Sequence, residues 1–176
     1  MAQTAPALPV KGGWTDVYGG SMVRPLVPPV VVEMSIEIAA PPEAVWDRLV
    51  DWENLGLWMK EAWDFRVTSP EREGVGVVAQ ARVRIAGITT LDTVVVSRWE
   101  PPEWFEIEHK GWGGGRGLMQ ARRTATGTYL WWRETLEPPL GWLGWAGMML
   151  VKPAMAWIFN RDLRLLKNLV EGKTPR

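Results

Sequence analysis

The chain has no cysteine, which excludes disulfides and thiolate-based metal or redox chemistry. It has a single histidine, His109, and no carboxylates clustered at ligand spacing, so no metal-binding set is expected and no cofactor is implied. An excess of charge of either sign is also missing, since 20 Lys and Arg balance 20 Asp and Glu. Nucleic-acid binders normally carry a basic surplus, so that class of partner is set aside. The first residues lack a basic segment followed by an apolar one, so no cleaved secretory signal is expected and a cytoplasmic location is the default. Tryptophan is what the chain has in plenty, 13 in 176 residues. Its large apolar surface and single N–H donor suit cores, ligand pockets and membrane interfaces alike.

The strongest periodic signal lies at the end of the chain, from Leu140 to Glu171. Val151, Met155, Phe159, Leu163, Leu166 and Val170 recur at helical spacing and line one face. Asn160, Arg161, Arg164, Lys167, Asn168 and Glu171 fall on the opposite, solvated face. Gly172 and Pro175 supply stop signals. The run Leu140 to Phe159 is as long as a bilayer span, but Lys152 and Pro153 sit within it, and the amphipathic continuation favours a helix packed on protein. Peripheral contact with a membrane through this stretch stays open.

Residues 1–29 are rich in proline and glycine and show no periodic core face, so they are read as an extension preceding a domain at 30–172. Val30 to Ile38 alternates as a half-buried strand. Pro41-Pro42 opens a short helix with Val45, Trp46 and Leu49 inward, and Asp51 is a candidate cap for a second one carrying Trp52, Leu55 and Trp58. Strands follow at Trp63–Thr68 (Trp63, Phe65 and Val67 on one face), Val77–Ile85, Ile88–Trp99, Trp104–Lys110, Leu118–Thr124 and Thr128–Leu136. Gly87 marks a tight hairpin and Gly111–Gly117 a flexible connection. Short turns between successive strands mean antiparallel pairing, and the whole reads as an α+β domain.

With those elements in place, Ile36-Glu37-Ile38-Ala39-Ala40-Pro41-Pro42-Glu43-Ala44-Val45-Trp46 resembles the opening motif of the START-like (SRPBCC) superfamily of polyketide cyclases, dehydrases and lipid carriers. Val96 to Trp104, with Pro101-Pro102 inside it, is similar to that family's strand connection, and Asp162 to Glu171 resembles its closing helix. The resemblance implies a helix-grip fold, a curved seven-stranded antiparallel sheet wrapped around the C-terminal helix with a hydrophobic cavity between. It also implies a hydrophobic ligand such as a lipid, polyketide or quinone, and in a minority of members cyclisation or dehydration. The motifs are structural, and no catalytic set transfers with them.

The residues themselves nominate a site. If Phe105 and Ile107 point inward, alternation places His109 with them, and its ordinary pKa near neutrality suits proton transfer. Glu134 shares a face with Trp132 and Leu136; buried, it needs a partner, and Arg82, Arg84, Arg116, Arg122 and Arg123 are candidates. A His109–Glu134 pair would be the acid/base constellation of a cyclase, while Asp92 is a further polar candidate. Trp58, Phe65, Ile107, Trp132, Met148, Met155 and Phe159 are read as apolar ligand contacts and Trp112 as a gate at the cavity mouth. Each has a plain alternative as core or solvated surface. Gly111–Gly117 lacks the Gly-Lys-Ser/Thr ending and following helix of a phosphate loop. The expected function is binding or transport of a hydrophobic small molecule by a monomer or homodimer, with a cyclase/dehydratase and a membrane-interface protein as alternatives.

Overall fold

The computed structural model describes residues 27–85, 87–111 and 114–173. Seven strands form one antiparallel sheet: β1 Val30–Ile38, β2 Ala62–Val67, β3 Val78–Ile85, β4 Ile88–Glu100, β5 Trp104–His109, β6 Gly115–Thr124 and β7 Gly127–Leu136. Their order across the sheet is β1-β7-β6-β5-β4-β3-β2. Each strand from β2 to β7 pairs with its sequence neighbour, and β1 closes on β7. A short helix α1, Pro42–Leu49, and a 3-10 turn, Trp52–Leu57, follow β1; the long helix α2, Trp142–Val170, ends the domain. This is the helix-grip architecture.

Period-two alternation sets which side chains face the helix. Val30, Val32, Met34 and Ile38 of β1 are buried, as are Leu130, Trp132 and Glu134 of β7 and Met119 and Ala121 of β6. From the other side α2 contributes Met155, Leu163 and Leu166, and α1 contributes Val45, Trp46 and Leu49. The helix ends where its backbone turns left-handed at Gly172 (φ 65°). Gly172 N–H bonds to Leu169 O and Lys173 N–H to Asn168 O, which satisfies carbonyls the helix leaves unpaired.

Several local expectations change. Asp51 flanks the second helical segment, but its carboxylate accepts no backbone N–H there; it takes both bonds of the Asn54 side-chain amide at 3.0 Å, and the segment winds as a 3-10 turn. Trp63 does not share the inner face with Phe65. A bulge between Trp63 and Arg66, with Asp64 at φ 57°, shifts the alternation so that Ala62 is buried and Trp63 is 39% exposed. The connection after β5 is shorter than Gly111–Gly117, because Gly115 to Gly117 already pair in register with β5 and β7. Glu171 does not lie in solvent: its carboxylate accepts the Ala39 N–H at 2.8 Å and binds the end of α2 to the β1–α1 turn. Of the expected 1–29 extension, residues 1–26 lie outside the described residues, while Val27 is buried.

Candidate functional site

Small residues open a space beneath the helix. Ala79 and Ala81 of β3 and Gly117 of β6 occupy positions where larger side chains would reach toward α2. The result is a cavity of about 420 Å³ between the sheet, the 3-10 turn and the middle of α2. Trp58, Phe65, Ile107, Trp132, Met148, Met155 and Phe159 all line it, together with Asp92, His109 and Glu134. Trp112 lies outside the described residues, although Gly111 and Gly114 on either side also line the cavity. Aromatic contacts stiffen one wall: Trp132 packs edge-on against Trp58, with centroids 6.2 Å apart, and lies tilted on Phe159 at 5.1 Å.

The polar residues of the cavity come from three strands. His109 stands opposite Val94 of β4 and Gly115 of β6. Asp92 lies two residues before Val94 on β4, on the same face, and its Oδ2 is 2.7 Å from His109 Nδ1. On the other side, His109 Nε2 lies 3.5 Å from Glu134 Oε2, an ion pair too long to be a good hydrogen bond. The second oxygen of Glu134 accepts the Trp132 indole N–H at 2.8 Å. Neither His109 Nε2 nor Glu134 Oε2 has a hydrogen-bond partner among the protein's groups, and the same holds for the buried indole nitrogen of Trp58. Both carboxylates depend on glycine. A Cβ at Gly117 would meet Glu134 Oε1 at 2.6 Å, and one at Gly111 would meet Asp92 Oδ1 at 2.8 Å.

Burial works against charge on the imidazole, but the hydrogen bond to Asp92 and the close negative charges of Glu134 and Asp92 outweigh it and raise the His109 pKa to about 10. At neutral pH the ring is therefore an imidazolium that donates from Nδ1 to Asp92. A protonated ring of this kind is a hydrogen-bond donor and a general acid, not a base. Among the described residues no group of three ligating side chains converges as a metal site.

The sequence-derived partners of Glu134 are not the ones found. Arg116 pairs with Glu106 and Glu108, Arg123 with Glu43, and Arg82 with Asp64; Arg84 bonds to Thr89, and Arg122 lies over the Tyr129 ring. Strand alternation sends Arg82, Arg84, Arg116 and Arg122 to the outer face, while Arg123, which shares the parity of Met119 and Ala121, is held near the end of β6 by Glu43 of α1. The indole of Trp132 and the imidazolium of His109 stand beside Glu134 instead.

Asp162 is a cavity residue that the sequence pattern does not nominate. It lies on α2 two turns beyond Met155, lines the cavity and is 3% exposed. Burial raises its pKa to about 6, against the pull of Arg161, whose guanidinium sits 2.6 Å from one carboxylate oxygen. Arg161 also reaches Glu61 at 2.5 Å, so it is drawn from the solvated face of the helix into an ion-pair bridge to the turn just before β2. The spacing holds a signal, since residues seven apart share a helix face, but a charged residue reads as surface until its partners are seen.

Known proteins give the same architecture. Among solved structures, the protein TTHA0849 of Thermus thermophilus superposes with a TM-score of 0.68 at 22% identity, covering 82% of this chain and 98% of its own. The Zhui aromatase/cyclase of Streptomyces sp. R1128 does so with a TM-score of 0.69 at 16% identity, covering 81% and 94%. At such identities the likeness establishes the fold. An uncharacterized protein of Mycobacterium tuberculosis is 30% identical over 83 residues, 47% of this chain and 58% of the relative. The chain thus spans little more than half the length of that relative. Residues 29–171 match the family described as polyketide cyclase/dehydrase and lipid transport. By the extent of that match and the helix-grip fold beneath it, the chain belongs to this family, within the START-like superfamily.

Proposed function

We propose that the protein binds a hydrophobic small molecule in the cavity between the sheet and α2, as a carrier or binding protein. The observation that carries this reading is the cavity itself. Its walls are mostly apolar, and its volume of about 420 Å³ falls in the range of ligand sites. Apolar burial would supply most of the affinity, and the few polar groups on one wall would orient one end of the ligand. Native mass spectrometry before and after organic extraction tests the reading. A near-stoichiometric lipid or aromatic compound supports it. An apo mass that stays unchanged on adding hydrophobic probes counts against it.

A second reading rests on the same wall. The His109 imidazolium, held by Asp92, is able to protonate a carbonyl or a leaving hydroxyl, with Glu134 accepting a proton nearby, as a cyclase or dehydratase requires. His109→Asn then abolishes turnover while the apolar walls still bind the ligand, whereas a carrier has no turnover to lose. A third reading, contact with a membrane interface, is supported by the first half of α2. Leu143 and Leu150 are each 82% exposed there, and Trp142 is 61% exposed. No helix among the described residues is long and apolar enough to cross a membrane. Liposome flotation that leaves the protein in the soluble fraction would dispose of this reading.

A further inference from the structure

Within the cavity, the unpartnered atoms are a donor and an acceptor side by side. His109 Nε2 and Glu134 Oε2 lie 3.5 Å apart, both buried and both without a partner among the protein's groups. An oxygen on the cavity side, roughly 2.8 Å from each, would satisfy both at once. That oxygen must accept from the ring N–H and donate to the carboxylate. A hydroxyl does both; a ketone, an ether or a carboxylate only accepts, and an ammonium only donates.

Charge narrows the choice further. One imidazolium faces two carboxylates and Glu137 lines the same cavity, as do Glu61 and Asp162, which Arg161 bridges. Among the described residues no lysine or arginine lines it. An anionic head group would enter a site that is already acidic and partly dry, where unpaired charge is costly. A cationic head group would sit beside the imidazolium and leave its N–H unpartnered.

We propose that the His109–Glu134 pair holds a neutral hydroxyl of the bound molecule, so that the cavity selects apolar compounds bearing a phenol or alcohol over carboxylates and over bare hydrocarbons. This rests on the reading of the cavity as a ligand site. The hydroxyl accepts from Nε2 and donates to Oε2, while the apolar remainder lies against Trp132, Phe159 and Met155. The arrangement also explains why Glu134 is buried with only one of its oxygens satisfied by the protein.

Three flat probes of similar size separate the possibilities: 2-naphthol, naphthalene and 2-naphthoate. Each competes at neutral pH with the neutral fluorophore N-phenyl-1-naphthylamine on the full chain. The expected order is 2-naphthol first, about tenfold ahead of naphthalene, with 2-naphthoate last. Naphthalene within twofold of 2-naphthol, or 2-naphthoate ahead of it, overturns the inference and leaves the binding reading intact. Failure of the fluorophore and of all three probes to bind overturns the binding reading itself, and the inference with it. Glu134→Gln removes a negative charge and is expected to improve 2-naphthoate about tenfold relative to 2-naphthol. An unchanged ratio in a folded variant contradicts the charge argument. If that variant does not fold, the wild-type ranking decides alone.

Discussion

Gly117 lies directly under Glu134: the two are register partners on β6 and β7, and a Cβ on the glycine would meet the carboxylate oxygen at 2.6 Å. The same Cβ would stand 3.2 Å from Ile107 Cγ1, so a methyl here is crowded from two sides. Glycine normally weakens a strand; here its missing side chain is what lets a carboxylate lie flat against the sheet beside His109.

Gly117→Ala should therefore displace Glu134 and strain β6. Overpacking of this kind costs about 1–3 kcal/mol, read as a lowered midpoint in urea denaturation. If stability is unchanged, the close approach is not a constraint.

The titration of His109 can be followed without assignment, because it is the only histidine. In untagged protein its imidazole resonances should titrate near pH 10, where an ordinary histidine titrates near 6.5. Because the folded state binds this proton more tightly, the stabilisation is complete below pH 6.5 and is lost as the pH rises toward 10. Denaturation measured across that window should show a falling limb that His109→Asn flattens. A midpoint near 6.5 in the NMR titration would refute the imidazolium assignment.

Asp162 acts at lower pH. Its pKa is raised from 3.8 to about 6, so the folded state holds the proton more tightly and stability falls as the pH rises through that interval. Asp162→Asn should remove this dependence. The check is the difference between variant and wild-type unfolding free energies at either end of the interval.

Trp132 is 1% exposed and packed on Trp58 and Phe159, so Trp132→Ala should cost about 3–5 kcal/mol and behave as a core truncation whatever it does to binding. Trp132→Phe is the sharper probe. It keeps most of the packing but strands Glu134 Oε1, at a cost of about 1–3 kcal/mol. Thermal unfolding separates the two variants. Equal losses would mean that the indole N–H contributes nothing.

Leu150→Glu, on the exposed side of α2, should change stability by less than about 0.5 kcal/mol. If the helix face meets lipid, the same substitution weakens liposome flotation. A large loss of stability would mean that this side chain is covered in the folded protein.

Local pattern reveals much of this domain. The bounds of β1 and the inward set of α1 follow from alternation, from helical spacing and from Pro41-Pro42, because those signals depend on neighbours in the chain. Alternation along β5 and β7 also places His109 and Glu134 on the inner face, and the resemblance supplies the helix grip. Position along the chain is silent about proximity across it. That Asp92 partners His109 follows from the register of β4 on β5; that Gly117 leaves room for Glu134 follows from β6 lying between β5 and β7. The bulge that turns Trp63 outward and the folding back of Glu171 onto Ala39 are likewise decided by tertiary contact. Even the charge on His109 is set this way, since the two carboxylates that fix it lie 17 and 25 residues away along the chain but within 3.5 Å in space.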